Sequence, residues 1–329
     1  MSNDTKKVLV LGGAGSLMGA VAKKYRDQGH YVRSLDRADL IGIDEKIDLA
    51  YDTDRLADIM AEGWNLCIQG AATVYGVAGF NNNGANILTN DLTVQINALN
   101  LWSAICPGRF VYISSSMVYE KDHAHFHGPS LDRSVIENIF PIPVPMTDYG
   151  LSKYTGERLV ESYHKDYEME YTIWRPFNII TPYEQAQPTQ GFSHVFADFI
   201  NSIIIEKQNP LSVFGNGEQV RCFTWIDDVV DAIVKYSDDP KTLNKVFNVG
   251  RDEEVSMKKL ARMIHDEGID QGLIDPYSKL AFKHLPAFPN DVEHRVPDVR
   301  RMKKELGWEA PTSLVRSVRA CVKEAAKHV

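Results

Sequence analysis

The sequence predicts an α/β fold, with helices on both faces of a doubly wound parallel sheet, followed by a smaller α/β domain. Short β-branched runs alternate with helical stretches through the first half, and a glycine-rich turn joins the first run to the first helical stretch. An acidic residue closes the second run. After about Asn178 the sequence changes to proline-rich loops and shorter elements. We therefore predict a cofactor domain over residues 1–178 and a substrate domain over residues 179–329.

Each predicted element follows from its hydrophobic period and its flanking turn residues. The first-half strands are Val8–Leu11, Tyr31–Leu35, Leu66–Gln69, Phe110–Ser114 and Tyr171–Arg175, and the helices are Met18–Gln28, Asp54–Ala61, Asn90–Ala104 and Thr147–Glu168. The second half has helices at Val195–Lys207, Asp227–Tyr236 and Leu314–Lys327, and strands at Leu211–Phe214 and Lys245–Val249. Strand–helix alternation of this kind is typical of a Rossmann-type sheet.

Composition and charge exclude several classes of protein. The 329 residues carry a net charge of −8 without a lysine or arginine cluster, which excludes the electrostatic footprint of a nucleic-acid-binding protein. No run of about 18 apolar residues predicts a membrane span. The polar N-terminus lacks the apolar core of a signal peptide, and the four cysteines lack CxxC spacing. We therefore expect a cytoplasmic protein with reduced, mostly buried cysteines.

The turn GGAGSLMG, at residues 12–19, is the first candidate binding element. Its glycines let the chain bend tightly and let backbone N–H groups approach a pyrophosphate, while the following helix N-terminus favours negative charge. The candidate contacts are Gly12, Gly15, Ser16, Leu17 and Met18. The last glycine lies one residue later than in GxGxxG, and a glycine-rich turn by itself is a weak signal.

An acid at the end of the second strand strengthens the prediction of a dinucleotide site. Asp36 would accept hydrogen bonds from the adenosine ribose and repel a 2′-phosphate, which favours NAD over NADP. Arg37 follows it and leaves NADP as the alternative. Asp48 and Leu49 lie where an adenine ring could bind, although Asp48 is equally explained as a carboxylate at a strand end.

Two further motifs supply groups for hydride chemistry. Tyr149 and Lys153 are four residues apart on a predicted helix and therefore share a face, and three serines, Ser114 to Ser116, end a predicted strand. A free tyrosine titrates near 10. A neighbouring ammonium favours the phenolate, so the pair can take a hydroxyl proton while a hydride leaves the same carbon. Together with the turn and the ribose acid, this order of motifs predicts an NAD-dependent enzyme.

At this point the sequence resembles the extended short-chain dehydrogenase/reductases that act on nucleotide sugars. The likeness covers nearly the whole chain: GAA at residues 70–72, NALNLW from Asn97, RPFNIITP at 175–182, VFGNGEQVRCFTWIDDVVDA from Val213 and RVPDVRRMKKELGW from Arg295. GAA takes the place of the family's LAA. The family's turn, GGAGFIGSHL, has the same length as GGAGSLMGAV here, so Met18 occupies the third-glycine position. We expect an intact NAD site, with the first helix displaced slightly outward or Met18 rotated aside.

The resemblance implies roles for individual residues. Ser115 would be the catalytic hydroxyl, Tyr149 the base and Lys153 its partner. Ala71, Ala72, Asn97 and Pro176 would complete the NAD site, and Val77, Ser116, Met117, Asn178, Phe214, Arg221 and Arg295 would complete a site for a nucleotide-diphosphate sugar. Two guanidiniums on a diphosphate are a sound charge-assisted clamp. The family also implies a homodimer formed by the helices Asn90–Ala104 and Tyr149–Glu168.

The residues after the catalytic serine separate the possible reactions. Dehydratases of this family have Asp and Glu there, decarboxylases keep the Glu, and 3,5-epimerases use a Cys there and a Lys further on. This sequence has Ser116 and Met117, and its later segment PYEQAQPTQG has no Lys, with Glu184 as the alternative group. A 4-epimerase, which needs only hydride transfer and one proton relay, is therefore favoured. A C4 dehydrogenase, a 3,5-epimerase or decarboxylase with non-standard acid–base residues, and a non-catalytic NAD sensor stay open.

The long connection over residues 120–146 is predicted to cover the sugar pocket. It contains His123, His125 and His127, two residues apart. Because the chemistry above needs no metal, we predict no metal site there.

Overall fold

The structure is a computed structural model and describes residues 5–75, 79–80, 83–105, 108–119, 147–187, 193–288 and 291–329. The strands are β1 (Lys7–Leu11), β2 (Tyr31–Asp36), β3 (Glu45–Lys46), β4 (Leu66–Gln69), β5 (Arg109–Ile113), β6 (Tyr171–Pro176), β7 (Ile179–Ile180), β8 (Leu211–Phe214), β9 (Val220–Arg221), β10 (Thr224–Trp225), β11 (Lys245–Val249), β12 (Val255–Ser256), β13 (Phe282–Leu285) and β14 (His294–Arg295). The α-helices with bounds in this part of the chain are α1 (Ser16–Asp27), α2 (Thr53–Met60), α3 (Gly84–Ile105), α4 (Asp148–Tyr167), α5 (Val195–Ile200), α6 (Ile226–Tyr236), α7 (Met257–Asp270) and α8 (Leu314–Ala325).

Seven parallel strands form the central sheet, in the order β11-β6-β5-β4-β1-β2-β3. Every side chain of Val8–Leu11 and Leu66–Gln69 is buried, because helices cover both faces of the sheet at its centre. The strand order reverses between β1 and β4, and open parallel sheets bind ligands beyond the strand ends at such a point. The predicted doubly wound α/β fold is confirmed.

The second half of the chain completes the first-half sheet. Helix α6 packs against α1, where Val229 and Ile233 share one apolar core with Val21 and Val8. Strand β11 pairs with β6 at the edge of the sheet. The opposite face carries α2, α3 and α4 over a second core. The chain therefore returns to the sheet after residue 178, and the domain boundary there stays a prediction.

A third core lies in the second half, between α5, α7 and α8. This half of the chain also contains three small sheets. In the first β8 pairs with β13, in the second β7 pairs with β10, and in the third β9 lies between β12 and β14. The parallel register of β9 and β14 places Arg221 opposite Arg295. Residues that are about 70 positions apart in the sequence are thus brought side by side.

Most predicted elements agree with the structure to within two residues. Helix α3 differs, because it begins at Gly84, six residues before the predicted start at Asn90. The helix predicted over Val195–Lys207 is α-helical to Ile200 and continues as a π-helical turn, in which the N–H of Glu206 donates to Asn201 O at 2.9 Å. Helix α7 was not among the predictions. Three cysteines in the described part, Cys67, Cys222 and Cys321, are buried thiols that form no disulfide with one another, as predicted. None of the helices described is both long and apolar enough to span a membrane.

Candidate active site

One large cavity, with a volume of about 650 Å³, crosses the carboxyl ends of the sheet strands and continues into the second half of the chain. Most of the predicted site residues line it: Gly12, Gly15, Ser16, Leu17, Met18, Asp36, Arg37, Asp48, Leu49, Ala71, Ala72, Ser115, Ser116, Met117, Tyr149, Lys153, Pro176, Asn178, Phe214, Arg221 and Arg295. Asn97 is not among the lining residues, and Val77 lies outside the described residues. The histidines of the 120–146 connection also lie outside them.

The glycine-rich turn is shaped by close backbone contacts. Gly12 has a φ of +88°, and a Cβ there would lie 2.6 Å from the backbone N and Cα of Ala71, so the position requires glycine. The N–H of Gly12 donates to Leu35 O at 2.9 Å, which ties the turn to β2. Helix α1 begins at Ser16 with Gly15 as an N-cap that offers no side-chain acceptor. Its first N–H groups are therefore open to a phosphate.

Met18 occupies the third-glycine position of the turn, and its side chain is buried. It lies over Gly70 at the end of β4, where an added Cβ would be 2.3 Å from Met18 Sδ. A displaced helix or a rotated Met18 is expected from the sequence. The structure places the thioether in the space that a side chain at position 70 would fill. The turn has Met18 where the family has a glycine, and the glycine at position 70, at the end of β4, leaves the space that the Met18 side chain fills.

Asp36 is held at the end of β2 by two backbone donors. The N–H of Ala14 donates to Oδ2 at 3.0 Å, and the N–H of Ala38 donates to Oδ1 at 2.9 Å. The carboxylate lines the cavity beside Arg37. This placement fits the ribose hydroxyls of NAD, whereas a 2′-phosphate would meet a fixed negative charge.

Asn97 contributes to this end of the cavity from behind its wall. Its Nδ2 donates to the carbonyl oxygens of Leu49 and Ala50, both at 3.0 Å. Because both hydrogens of the amide are used on backbone carbonyls, Asn97 holds the Leu49 segment in place and does not line the cavity.

Tyr149 and Lys153 lie one turn apart on α4 and face the same cavity, as the spacing predicts. Lys153 Nζ donates to Ile113 O at 2.9 Å and lies 5.8 Å from the centre of the Tyr149 ring. The Tyr149 ring stacks on Phe80 at 4.4 Å between centroids. Ser115 Oγ accepts from the N–H of Met117 at 3.1 Å. The strand end and the helix therefore present a hydroxyl, a phenol and an ammonium to one space.

The charges around this group oppose one another. Burial raises the pKa of Tyr149, the negative charge of Asp91 raises it further, and a side-chain hydrogen bond with Ser115 lowers it. Burial lowers the pKa of Lys153 to about 8, while Asp91 and Glu157 act to raise it. The phenol is thus a weak acid in the protein alone, and a positive charge beside it is needed for its use as a base.

Asp91 was not found by the sequence analysis, because nothing in its local sequence distinguishes it from an ordinary helix residue. It lies on α3, is 6% exposed, and its Oδ1 accepts from the N–H of Thr73 at 2.9 Å. Its Oδ2 is buried without a hydrogen-bond partner among the described residues. Asp91 and Glu157 both raise the pKa of Lys153, and Asp91 has the larger effect.

A buried polar network supports the catalytic strand from the other side. Arg175 donates to both oxygens of Glu157, Nε at 2.8 Å and Nη2 at 2.6 Å, and Nη1 donates to the Tyr119 hydroxyl at 2.8 Å. Tyr119 donates in turn to Asn248 Oδ1 at 2.7 Å, and Ser114 also bonds to Glu157. Because each charge is paired, this network fixes the Ser115 segment against α4.

Two arginines dominate the far end of the cavity. Arg221 Nη2 donates to Asp291 Oδ1 at 2.6 Å. Burial, and then the positive charge of Arg221, lower the pKa of Arg295 to about 9, although Asp291 opposes them. Arg295 Nε is buried without a partner among the described residues. Two adjacent cations, of which only Arg221 is shown hydrogen-bonded to a carboxylate, make this end a candidate anion-binding site.

Aromatic rings lie beside the arginines. Phe214 and Phe288 both line the cavity, and their ring centroids are 4.4 Å apart. Phe214 is a predicted site residue, whereas Phe288 and Asp291 are not, because no motif in the sequence distinguishes them. Flat apolar faces next to an anion site suit a nucleobase attached to a diphosphate.

Comparison with known proteins identifies relatives of this chain. A family model described as the NAD dependent epimerase/dehydratase family matches residues 8–250. GDP-mannose 3,5-epimerase from Arabidopsis thaliana is 26% identical over 326 residues, covering 96% of this chain and 81% of that protein. UDP-glucuronic acid decarboxylase 4 from the same plant is 28% identical over 251 residues, covering 75% of this chain and 51% of that protein. The chain thus spans about half the length of the decarboxylase.

Solved structures share the fold over nearly the whole chain. UDP-glucose 4-epimerase from Thermotoga maritima, with UDP-glucose, has a TM-score of 0.77 at 22% identity and covers 98% of this chain and 99% of that chain. UDP-glucuronic acid 4-epimerase from Bacillus cereus, with UDP-glucuronic acid and NAD, has a TM-score of 0.79 at 22% identity and covers 98% and 100%. At these identities the likeness shows the fold.

Proposed function

The chain belongs to the NAD dependent epimerase/dehydratase family, and from that premise we propose that it is a nucleotide-sugar 4-epimerase acting through a transient 4-keto sugar. The observation that carries the proposal is the placement of Tyr149, Lys153 and Ser115 in one cavity, between the glycine turn and the paired arginines. The cofactor of the family is NAD, and the residues present fit it. The uncapped N-terminus of α1 offers N–H groups to a pyrophosphate, and Asp36 offers a ribose acceptor.

The catalytic roles follow from the positions of the side chains. Bound NAD supplies the acceptor, and later the donor, of a hydride at C4 of the sugar. Tyr149 takes the proton of the C4 hydroxyl, and Ser115 holds the same oxygen. Lys153 supplies the positive charge that favours the phenolate over the phenol. Tyr149 then returns the proton after the ketone has presented its other face, which inverts C4.

The substrate class follows from the far end of the cavity. Arg221 and Arg295 would bind the diphosphate, with Phe214 and Phe288 beside the nucleobase. Asp291 would then share Arg221 with the ligand. Solved relatives in this family hold UDP-glucose and UDP-glucuronic acid, which supports a nucleotide-diphosphate sugar as the substrate.

The alternatives differ in what happens to the ketone. Its release would make the protein a C4 dehydrogenase. The activities named for the plant relatives, 3,5-epimerisation and decarboxylation, would need acid–base groups beyond the hydride site, because Met117 has no ionisable group. A non-catalytic NAD sensor would leave the sugar unchanged.

A variant of the base tests the proposal. NAD-loaded protein is incubated with UDP-glucose, UDP-glucuronic acid or GDP-mannose, the sugar products are separated by chromatography, and NADH is followed by absorbance. We expect a 4-epimer without net NADH, and we expect Tyr149→Phe to reduce its rate by about 10²- to 10⁴-fold, as for loss of a general base. Tyr163→Phe, on the same helix and outside the cavity, is the matched control.

The other outcomes are equally informative. NADH that accumulates in step with a keto sugar would establish the dehydrogenase, and binding of a sugar nucleotide without turnover would establish the sensor. Full activity of Tyr149→Phe would overturn the assigned base.

Assembly and compartment stay predictions. Helices α3 and α4 pack on each other, and Ile96 and Ile105 of α3 are partly exposed at 41% and 38%. A homodimer through these helices, expected from the resemblance, would cover such side chains.

A further inference from the structure

A carboxylate–imidazole pair lies in the cavity and has no task in hydride transfer. Glu184 follows β7, and His194 is the N-cap residue of α5; both line the cavity that also contains Tyr149. Glu184 Oε1 lies 2.8 Å from His194 Nδ1 and accepts from the His194 backbone N–H at 3.1 Å. One carboxylate oxygen thus fixes both the ring and the backbone of the histidine.

This geometry leaves one ring nitrogen for a ligand. With Nδ1 engaged by Glu184, Nε2 is the nitrogen that can accept or donate a proton in the cavity. The His194 side chain is 48% exposed, and its partial desolvation lowers its pKa, but the hydrogen bond with Glu184, the charge of Glu184 and the charge of Asp198 raise the pKa, and the net shift is upward. Glu184, Asp198 of α5 and the His194 ring itself are the titratable groups that determine this balance. Such an imidazole can both take and return a proton near neutral pH.

The other titratable groups of the cavity have different positions or partners. Asp36 and Asp48 lie at the dinucleotide end, and Lys153 contacts Ile113 O beside Tyr149. Asp291 is paired with Arg221. Among the described residues that line the cavity, Glu184 and His194 form a hydrogen-bonded acid–base pair that has no part in the hydride site.

We propose that His194, oriented by Glu184, is the acid–base residue for the carbon next to the transient 4-ketone, so that the enzyme also enolises nucleotide 4-keto sugars. The inference rests on the proposed function, which supplies the ketone. A ketone acidifies the C–H bond of the neighbouring carbon, C3 or C5. That bond breaks, its electron pair forms the enolate with the negative charge on the C4 oxygen, and Nε2 takes the proton. Return of a proton from Nε2 to the same carbon restores the ketone.

Deuterium exchange tests this step separately from hydride transfer. NAD-loaded protein in D₂O receives UDP-4-keto-6-deoxyglucose directly, or UDP-glucose, UDP-glucuronic acid or GDP-mannose, and mass spectrometry and NMR locate deuterium on the sugar. We expect exchange at C3 or C5 of the supplied ketone well above the enzyme-free rate. We expect His194→Gln to reduce that exchange by about tenfold or more, the size of effect typical of a lost acid–base group. His164→Gln, a histidine of α4 outside the cavity, is the matched control.

Glu184 acts through His194 and has its own readout. Glu184→Gln removes a charge that favours the imidazolium, so the exchange rate should persist to lower pH, whereas a purely structural role would reduce the rate equally at every pH.

The outcomes separate this inference from the proposed function. Tyr149→Phe cannot form the ketone, so it should incorporate no deuterium from the alcohols while it still exchanges the supplied ketone. No exchange of the ketone above background, or equal exchange by His194→Gln, overturns the inference and leaves 4-epimerisation intact. Exchange of the ketone with no turnover of any alcohol supports the His194 site and contradicts the proposed hydride chemistry.

Discussion

The two ends of the cavity differ in how they are built. At the dinucleotide end, the contacts are steric: Gly12 lies against Ala71, and Met18 fills the space over Gly70. At the nucleotide-sugar end, the contacts are electrostatic: Arg221 and Arg295 are brought side by side, and Asp291 is hydrogen-bonded to Arg221. Substitutions that change side-chain volume should therefore weaken NAD binding at the first end. Substitutions that remove a charge should weaken binding of the nucleotide diphosphate at the second.

The comparison explains why a buried cation can be left underpaired. Arg175 is buried, but it is satisfied by both oxygens of Glu157 and by Tyr119, so it is part of the scaffold. Arg295 is buried with an unpartnered Nε. Removing Arg175 would leave the buried carboxylate of Glu157 without its ion-pair partner, which would destabilise the fold. Removing an underpaired cation leaves no buried carboxylate unpaired. A cation in that state is suited to an anionic ligand.

The largest expected effect is at the electrostatic end. Arg295→Met should weaken UDP binding by about 100-fold, on the order of 2–3 kcal/mol, because it removes one of two charges that meet the diphosphate. NAD affinity should be unchanged, and thermal stability equal or higher. Calorimetric titrations with NAD and with UDP measure the affinity at each end of the cavity. Arg316→Met, at an exposed position, is the control. UDP affinity within threefold of the wild type would break the comparison.

A smaller effect is expected at the steric end. Gly70→Leu places a side chain where Met18 lies, and overpacking of this kind costs roughly 1–3 kcal/mol. NAD affinity or the thermal midpoint should fall, while UDP binding stays unchanged. Adding Met18→Gly to Gly70→Leu should restore at least part of the loss, since the two side chains compete for one space. If the loss in the double variant equals the sum of the losses in the two single variants, Met18 and position 70 do not compete for one space and this interpretation is wrong.

The smallest expected effect concerns Lys153. Its ammonium donates to a backbone carbonyl and is influenced by Asp91 and Glu157, so it is less fully paired than Arg175 and better paired than Arg295. The pKa of Lys153 is lowered by burial to about 8, so its ammonium is lost as the pH rises through that value. Asp91→Asn removes a charge that raises this pKa. The alkaline fall in the rate of sugar oxidation should therefore move to lower pH, by about one unit.

Asparagine can still accept from Thr73 N–H, so a pH-independent loss of rate would indicate a structural role for Asp91. Single-turnover rates across pH 6 to 9.5 measure the shift, with Asp58→Asn on the exposed face of α2 as the control.

Much of the fold could be predicted because its signals are local. The sheet strands are short segments rich in apolar and β-branched residues, so the predicted bounds of β4 and β11 agree with the structure. Tyr149 and Lys153 share a helix face because they are four residues apart. Helix α7 has a local signal of the same kind, because its buried residues Met257, Leu260, Ala261 and Ile264 recur at helical spacing.

What the sequence by itself determined is the order of elements, the turn that suits a dinucleotide, and the residue types available for hydride chemistry. Only the tertiary structure decided which distant residues act together: Met18 with Gly70, Asp91 with Lys153, and Glu184 with His194. The physical reason is range. Helical period, strand hydrophobicity and turn geometry depend on neighbours in the chain, whereas packing and charge act through space between segments that the fold alone brings together.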